Sequence, residues 1–196
     1  PNDKTLSSFS LRHDEREIIP FLKRAEEKAG RKLPLLLSPW SPPAFMKTTG
    51  ERNRGGKLRP EYRAMWAEYI CRYVMGYRAH GFIVKYLTVQ NEPNAAQTWD
   101  SCIYTGEDER SFVRDDLAPA LKRHGLDVGV LIWDHNKERV YARALETLQA
   151  DTEDLIAGVA FHFYTGDHFK ALSLLAKRFP EKALIFTEGC MEYSRP

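Results

Sequence analysis

The stretch PEYRAMWAEYICRYVMGYRAHGFIVKYLTVQNEPN, residues 60–94, contains one helix followed by one strand. Pro60 suits a first helical position and Glu61 sits in the favourable first turn. Tyr62, Trp66, Tyr69, Ile70, Tyr73 and Tyr77 recur at the spacing of one helix face, and Gly81 supplies the stop, so a helix is expected over Pro60–His80. The short run Val84–Val89 follows and reads as a buried strand. It closes on Gln90-Asn91-Glu92-Pro93-Asn94. Pro93 cannot donate to a ladder and pushes the preceding residue towards an extended backbone, so the Glu92 carboxyl is expected to point past the strand end.

The same alternation runs through the rest of the chain. Strand-like runs stand near Leu6–Leu11, Leu33–Leu37, Val128–Trp133, Ile156–Phe163 and Ala183–Thr187, mostly continuous rather than alternating, as parallel strands covered on both faces require. Helical stretches fall near Pro20–Ala29, Thr105–His124, Lys137–Ala150 and His168–Phe179. Thr105 is placed to cap, with Glu107, Asp108 and Glu109 in the first turn and Lys122, Arg123 and His124 before Gly125. Strand-then-helix order implies a parallel sheet with right-handed crossovers.

About six βα units are legible, against the eight strands and about 250 residues of a closed (β/α)8 barrel. An α/β fold in the form of a partial TIM barrel is therefore expected across 1–196, short of one strand at each end. An open doubly wound sheet is the competing architecture. It is disfavoured because no Gly-x-Gly-x-x-Gly or P-loop follows the first strand and polar residues crowd nearly every strand end.

The 196 residues are 43% hydrophobic with a formal charge of +2, the profile of one globular domain with a real core. The small net charge argues against a nucleic-acid partner. No run approaches a membrane span, and no signal-peptide pattern is visible, although a chain opening at Pro1 without Met leaves any targeting segment outside it. Cys71, Cys102 and Cys190 form no Cys-x-x-Cys pair and read as free thiols. The basic loop Lys47–Arg59 reads as solvated and mobile.

Glu188 closes the last run, Ala183-Leu-Ile-Phe-Thr-Glu-Gly-Cys190, as Glu92 closes its own. The C-terminal strand ends of a wound β/α protein share one face, where two such carboxyls can meet. Paired carboxyls are the machinery of glycoside hydrolysis. Trp133-Asp134-His135-Asn136 and His162-Phe163-Tyr164 add polar and aromatic groups at two further strand ends, and Trp40, between prolines 39 and 42, can be held as a flat stacking wall.

These motifs, with Ser38-Pro-Trp-Ser-Pro-Pro-Ala-Phe-Met-Lys-Thr48, Trp99-Asp-Ser-Cys102 and Thr187-Glu-Gly-Cys190, resemble glycoside hydrolase family 30, the glucosylceramidase-like family, over essentially the whole chain. One local departure is Thr49, where relatives often have Asn. The resemblance implies a (β/α)8 barrel with an attached β-sandwich and a retaining mechanism needing no metal or cofactor. It implies that Glu92 is the acid/base on the fourth barrel strand and Glu188 the nucleophile on the seventh. Asn91, Trp40, His162 and Tyr164 are implied as contacts to the sugar, with the first and eighth strands and the sandwich outside this chain.

The expected substrate is a carbohydrate or glycolipid β-glucoside. Retention requires carboxyls about 5–5.5 Å apart, against about 6.5–9.5 Å for inversion. The general acid is expected to carry a raised pKa. Two other readings are open at this stage: a sugar-binding or inactive barrel fragment, and a metal-dependent hydrolase using Asp134, His162, Glu92 and Glu188.

Overall fold

The computed structural model describes residues 3–190. Two helices, α1 (Arg12–Arg16) and α2 (Ile18–Ala29), precede strand β1 (Pro34–Leu37). Helix α3 (Arg63–Ala79) leads to β2 (Ile83–Thr88), and α4 (Gly106–Phe112) and α5 (Ala118–Arg123) lead to β3 (Gly129–Asn136). Helix α6 (Val140–Thr147), β4 (Gly158–His162), α7 (Phe169–Arg178) and β5 (Ala183–Glu188) complete the order.

All four strand pairings are parallel and the sheet order is β1-β2-β3-β4-β5. A doubly wound sheet reverses its order at a switch point. This one never does, so every crossover advances the same way round a curling barrel segment. Among the described residues the count is five strands rather than six. Leu6–Leu11 forms no strand, because the Asp3 carboxylate collects Thr5, Ser7 and Ser8 into a tight turn and competes with any ladder.

The core is centred on the middle strands. β3 is buried from Val130 to Asn136, whereas neither β1 nor β5 contains a fully buried residue. Helix α3 buries Trp66, Ile70 and Tyr77 of the expected face together with Val74, each large apolar side chain worth about 1.5–3 kcal/mol, while Tyr62, Tyr69 and Tyr73 are half-buried. Thr105 caps α4 in a reciprocal box with Asp108. The helix expected over Thr105–His124 is interrupted by a π turn at Val113–Leu117. Pro119 lies just beyond the turn; it lacks an amide and its ring crowds the carbonyl four residues back, which the wider turn accommodates.

The Lys47–Arg59 loop holds Arg52, Arg54 and Lys57 in solvent, as expected, but it is pinned at its base. Lys47 is completely buried and its Nζ donates to the carbonyls of Arg52, at 2.8 Å, and of Ser101. Lys57 pairs with Asp108 at 2.7 Å on the adjoining helix.

Candidate active site

The strand ends converge on one buried carboxylate. Asp134 has φ +48° and Trp133 φ +74°, both in the left-handed region. Between Trp133 and His135 the β3–β4 register shifts, so Asp134 is an extra residue on a bulge. Two such residues cost roughly 1–3 kcal/mol each. They are held by Glu109 on α4, which accepts from the Trp133 amide at 2.9 Å, and by Asn136, whose carbonyl accepts from Trp133 Nε1 at 2.9 Å.

The bulge turns the Asp134 side chain into the strand ends. Oδ2 accepts from Ser38 after β1 and from Thr88 on β2 at 2.8 Å; Oδ1 accepts from Thr187 on β5 at 2.6 Å and faces His162 Nε2 on β4 at 3.1 Å. Burial alone would push this carboxyl up, but the His162, Ser38 and Thr187 hydrogen bonds prevail and hold it below its ordinary value.

His162 links this node to Glu92. Its Nδ1 lies 3.3 Å from Glu92 Oε1. Burial disfavours the imidazolium, but the two carboxylates outweigh it and raise the His162 pKa to about 9. The His162 hydrogen bond, more than offsetting burial, in turn holds Glu92 below the ordinary carboxylate range. The raised pKa expected of the general acid is thus not found at Glu92; the raised value belongs to His162. The extended backbone expected before Pro93 is also corrected. Glu92 has φ +46°, fixed by its amide donating to the Asp134 carbonyl at 3.0 Å and its carbonyl accepting from Ala95 at 2.9 Å.

A cavity of about 470 Å³ opens above these residues, lined by Trp40, Asn91, Glu92, Gln97, Trp99, His135, Asn136, Tyr164, Glu188 and Cys190. It draws on all five strand ends. Five of the six residues proposed from sequence line it: Trp40, Asn91, Glu92, Tyr164 and Glu188. His162 does not; it is fully buried behind Glu92.

Glu188 receives the Tyr164 hydroxyl at 2.9 Å, and that hydroxyl accepts from the Cys190 amide at 3.1 Å. Trp40 and Trp99 are 42% and 51% exposed, enough bare indole for a ligand to stack on. Gln97, whose Nε2 lies 3.3 Å from Glu92 Oε2, has no signal in the sequence beyond its place in the loop after Glu92.

The chain matches the model of the glycosyl hydrolase family 30 TIM-barrel domain over residues 1–195. It belongs to glycoside hydrolase family 30. This family-30 chain is 30% identical over 205 residues to the lysosomal acid glucosylceramidase of Mus musculus, covering 97% of the chain and 40% of that enzyme. It also superposes on the crystal structure of SrfJ from Salmonella typhimurium with TM-score 0.89 and 46% identity, over 94% of the chain and 42% of SrfJ. An endo-β1,6-glucanase aligns with TM-score 0.88 and 27% identity, over 97% of the chain and 45% of that structure. The chain therefore spans about two fifths of its relatives' length.

Proposed function

We propose that this family-30 site hydrolyses β-glucosidic bonds with retention of configuration. One observation carries the reading: Glu92 and Glu188 stand on the walls of the same cavity at the ends of two strands three positions apart, each with a different partner. Glu188, receiving one hydroxyl hydrogen bond, is the nucleophile that attacks the anomeric carbon. Glu92, backed by His162, delivers a proton to the departing oxygen and then draws one from the water that releases the sugar.

The lowered Glu92 pKa fits this role if the proton belongs to the pair. Glu92 and His162 together keep a dissociable proton well above neutral pH. A sugar entering the cavity excludes water from Glu92 and favours transfer of that proton to the carboxyl. Trp40 and Trp99 offer faces for the sugar or its aglycone, and Asn91 lies beside the acid/base for a hydroxyl. The glucosylceramidase and endo-β1,6-glucanase relatives support a β-glucoside, free or lipid-linked, as the substrate.

The test is hydrolysis of a panel of aryl β-glycosides by the intact protein, with the first-formed anomer read by NMR before mutarotation. A β-glucoside giving β-glucose supports the proposal. An α-product would overturn the nucleophile role of Glu188.

A further inference from the structure

One cluster reaches beyond the groups that glycoside hydrolysis uses, adding His135 to Glu92 and His162. Glu92, His135 and His162 each present a donor atom, and the three atoms lie within 4.8 Å of one another. His135 Nδ1 is buried and has no hydrogen-bond partner among the described residues. It is aimed at Glu92 Oε1, 3.7 Å away. A buried nitrogen left unmatched beside a carboxylate is a place where a cation gains both partners at once.

The spacing suits a cation. A tetrahedral Zn²⁺ with ligands at about 2.0–2.2 Å holds its donor atoms roughly 3.3–3.6 Å apart. Glu92 Oε1 already stands 3.3 Å from His162 Nδ1 and 3.7 Å from His135 Nδ1. The outer side of His162 is also built as metal sites are, with Nε2 directed at Asp134 Oδ1 at 3.1 Å, which leaves Nδ1 for the ion. Two imidazoles and one carboxylate select borderline cations over Mg²⁺ or Ca²⁺. Glu92 and His135 also line the cavity, which gives an ion a path to the cluster.

We propose that Glu92, His135 and His162 form a three-ligand site for a borderline divalent cation such as Zn²⁺, and that filling it switches the hydrolase off. The ion takes the place of the proton between His162 Nδ1 and Glu92 and occupies the carboxylate oxygen that would serve the leaving group. This set is not the one suggested by the sequence. Asp134 is fully engaged by hydroxyls and by the outer nitrogen of His162, and supports the site instead of ligating. The binding stands on geometry alone; the inhibition rests on the acid/base reading of Glu92.

The experiment titrates the intact, chelator-treated protein with Co²⁺, followed by visible absorption, and with Zn²⁺, followed by calorimetry, using Mg²⁺ for comparison. One equivalent of Co²⁺ with a tetrahedral spectrum, displaced by Zn²⁺ and ignored by Mg²⁺, is expected. His135→Phe should weaken binding by more than the roughly 10–100-fold that loss of a supporting partner causes. Should that variant not fold, Glu92→Gln, which keeps the side-chain shape, carries the same test. Zn²⁺ binding that survives both substitutions, or no stoichiometric binding at all, overturns the site. Tight binding that leaves glucoside turnover untouched overturns the inhibition and the acid/base role of Glu92, while the site stands.

Discussion

Thr187 donates its hydroxyl to Asp134 across 2.6 Å, joining the last strand of the sheet to the middle one through a side chain rather than the ladder. Ser38, Thr88 and His162 reach the same carboxylate from the other three strands. The node has the electrostatic form of a buried ion pair with extra donors. Breaking such a pair from one side costs far more than its net worth. Asp134→Asn should therefore destabilise the fold by about 3–5 kcal/mol in chemical denaturation. A loss under about 1 kcal/mol would show that the carboxylate is not the junction described.

The pH dependence of stability follows from the same residues, measured with chelator present. His162 rises from 6.5 to about 9 on folding, so its contribution is full below about pH 6.5 and lost as pH climbs through about 9. Glu92 and Asp134 are depressed from 4.5 and 3.8, so their contribution is present above those values and lost as pH falls through their lower folded values. These are the same contacts counted from two sides. Thermal unfolding should give a maximal Tm between about pH 4.5 and 6.5, and His162→Gln should flatten the alkaline limb.

Replacing Glu188 by Ala should abolish turnover while leaving the fold intact, since among the described residues its side chain bonds only Tyr164, near the surface. Azide should restore activity by entering the vacated space, and the product should be a glycosyl azide of inverted anomeric configuration. Unchanged activity in this variant removes the nucleophile from the mechanism.

Glu92→Gln removes the proposed proton donor and keeps the shape. Hydrolysis of substrates with poor leaving groups should drop by roughly 10²–10⁴-fold, the usual yield of general acid catalysis. Glucosides with strongly acidic leaving groups need no protonation and should accumulate the glycosyl intermediate in a burst. Equal losses on both substrate types would contradict the acid role.

Tyr164→Phe tests the support given to Glu188. One hydrogen bond to a charged group is worth about 1.5–3 kcal/mol, less where water reaches it, so kcat should fall by roughly 10-fold with little change in stability. A Tm drop of the size expected for Asp134→Asn would show that Tyr164 is structural instead.

What the sequence revealed divides along physical lines. The α3–β2 unit was legible from its apolar spacing, its glycine stop and its proline exit. The two glutamates were legible because each ends an apolar run. Leu6–Leu11 misled because its apolar residues resemble a strand, while the deciding contact is Asp3 gathering nearby hydroxyls. Asp134 was visible only as one polar residue at a strand end. Its role depends on a one-residue bulge and on three hydroxyls and an imidazole from the ends of four other strands, and pairing of that kind leaves no local pattern. For the same reason His162 was assigned to the sugar when it stands behind Glu92, and His135 and Gln97 were not singled out.

The node at Asp134 also checks the assembly of the sheet. Parallel strands with continuous apolar runs can slip past one another with little hydrophobic penalty, because one aliphatic residue replaces the next. A slip of any single strand here would withdraw one hydroxyl or imidazole from an anion sealed off from water. Misaligned pairings are thus selected against by charge where greasy contacts would tolerate them, so the carboxylate that holds His162 also proofreads the alignment of all five strands.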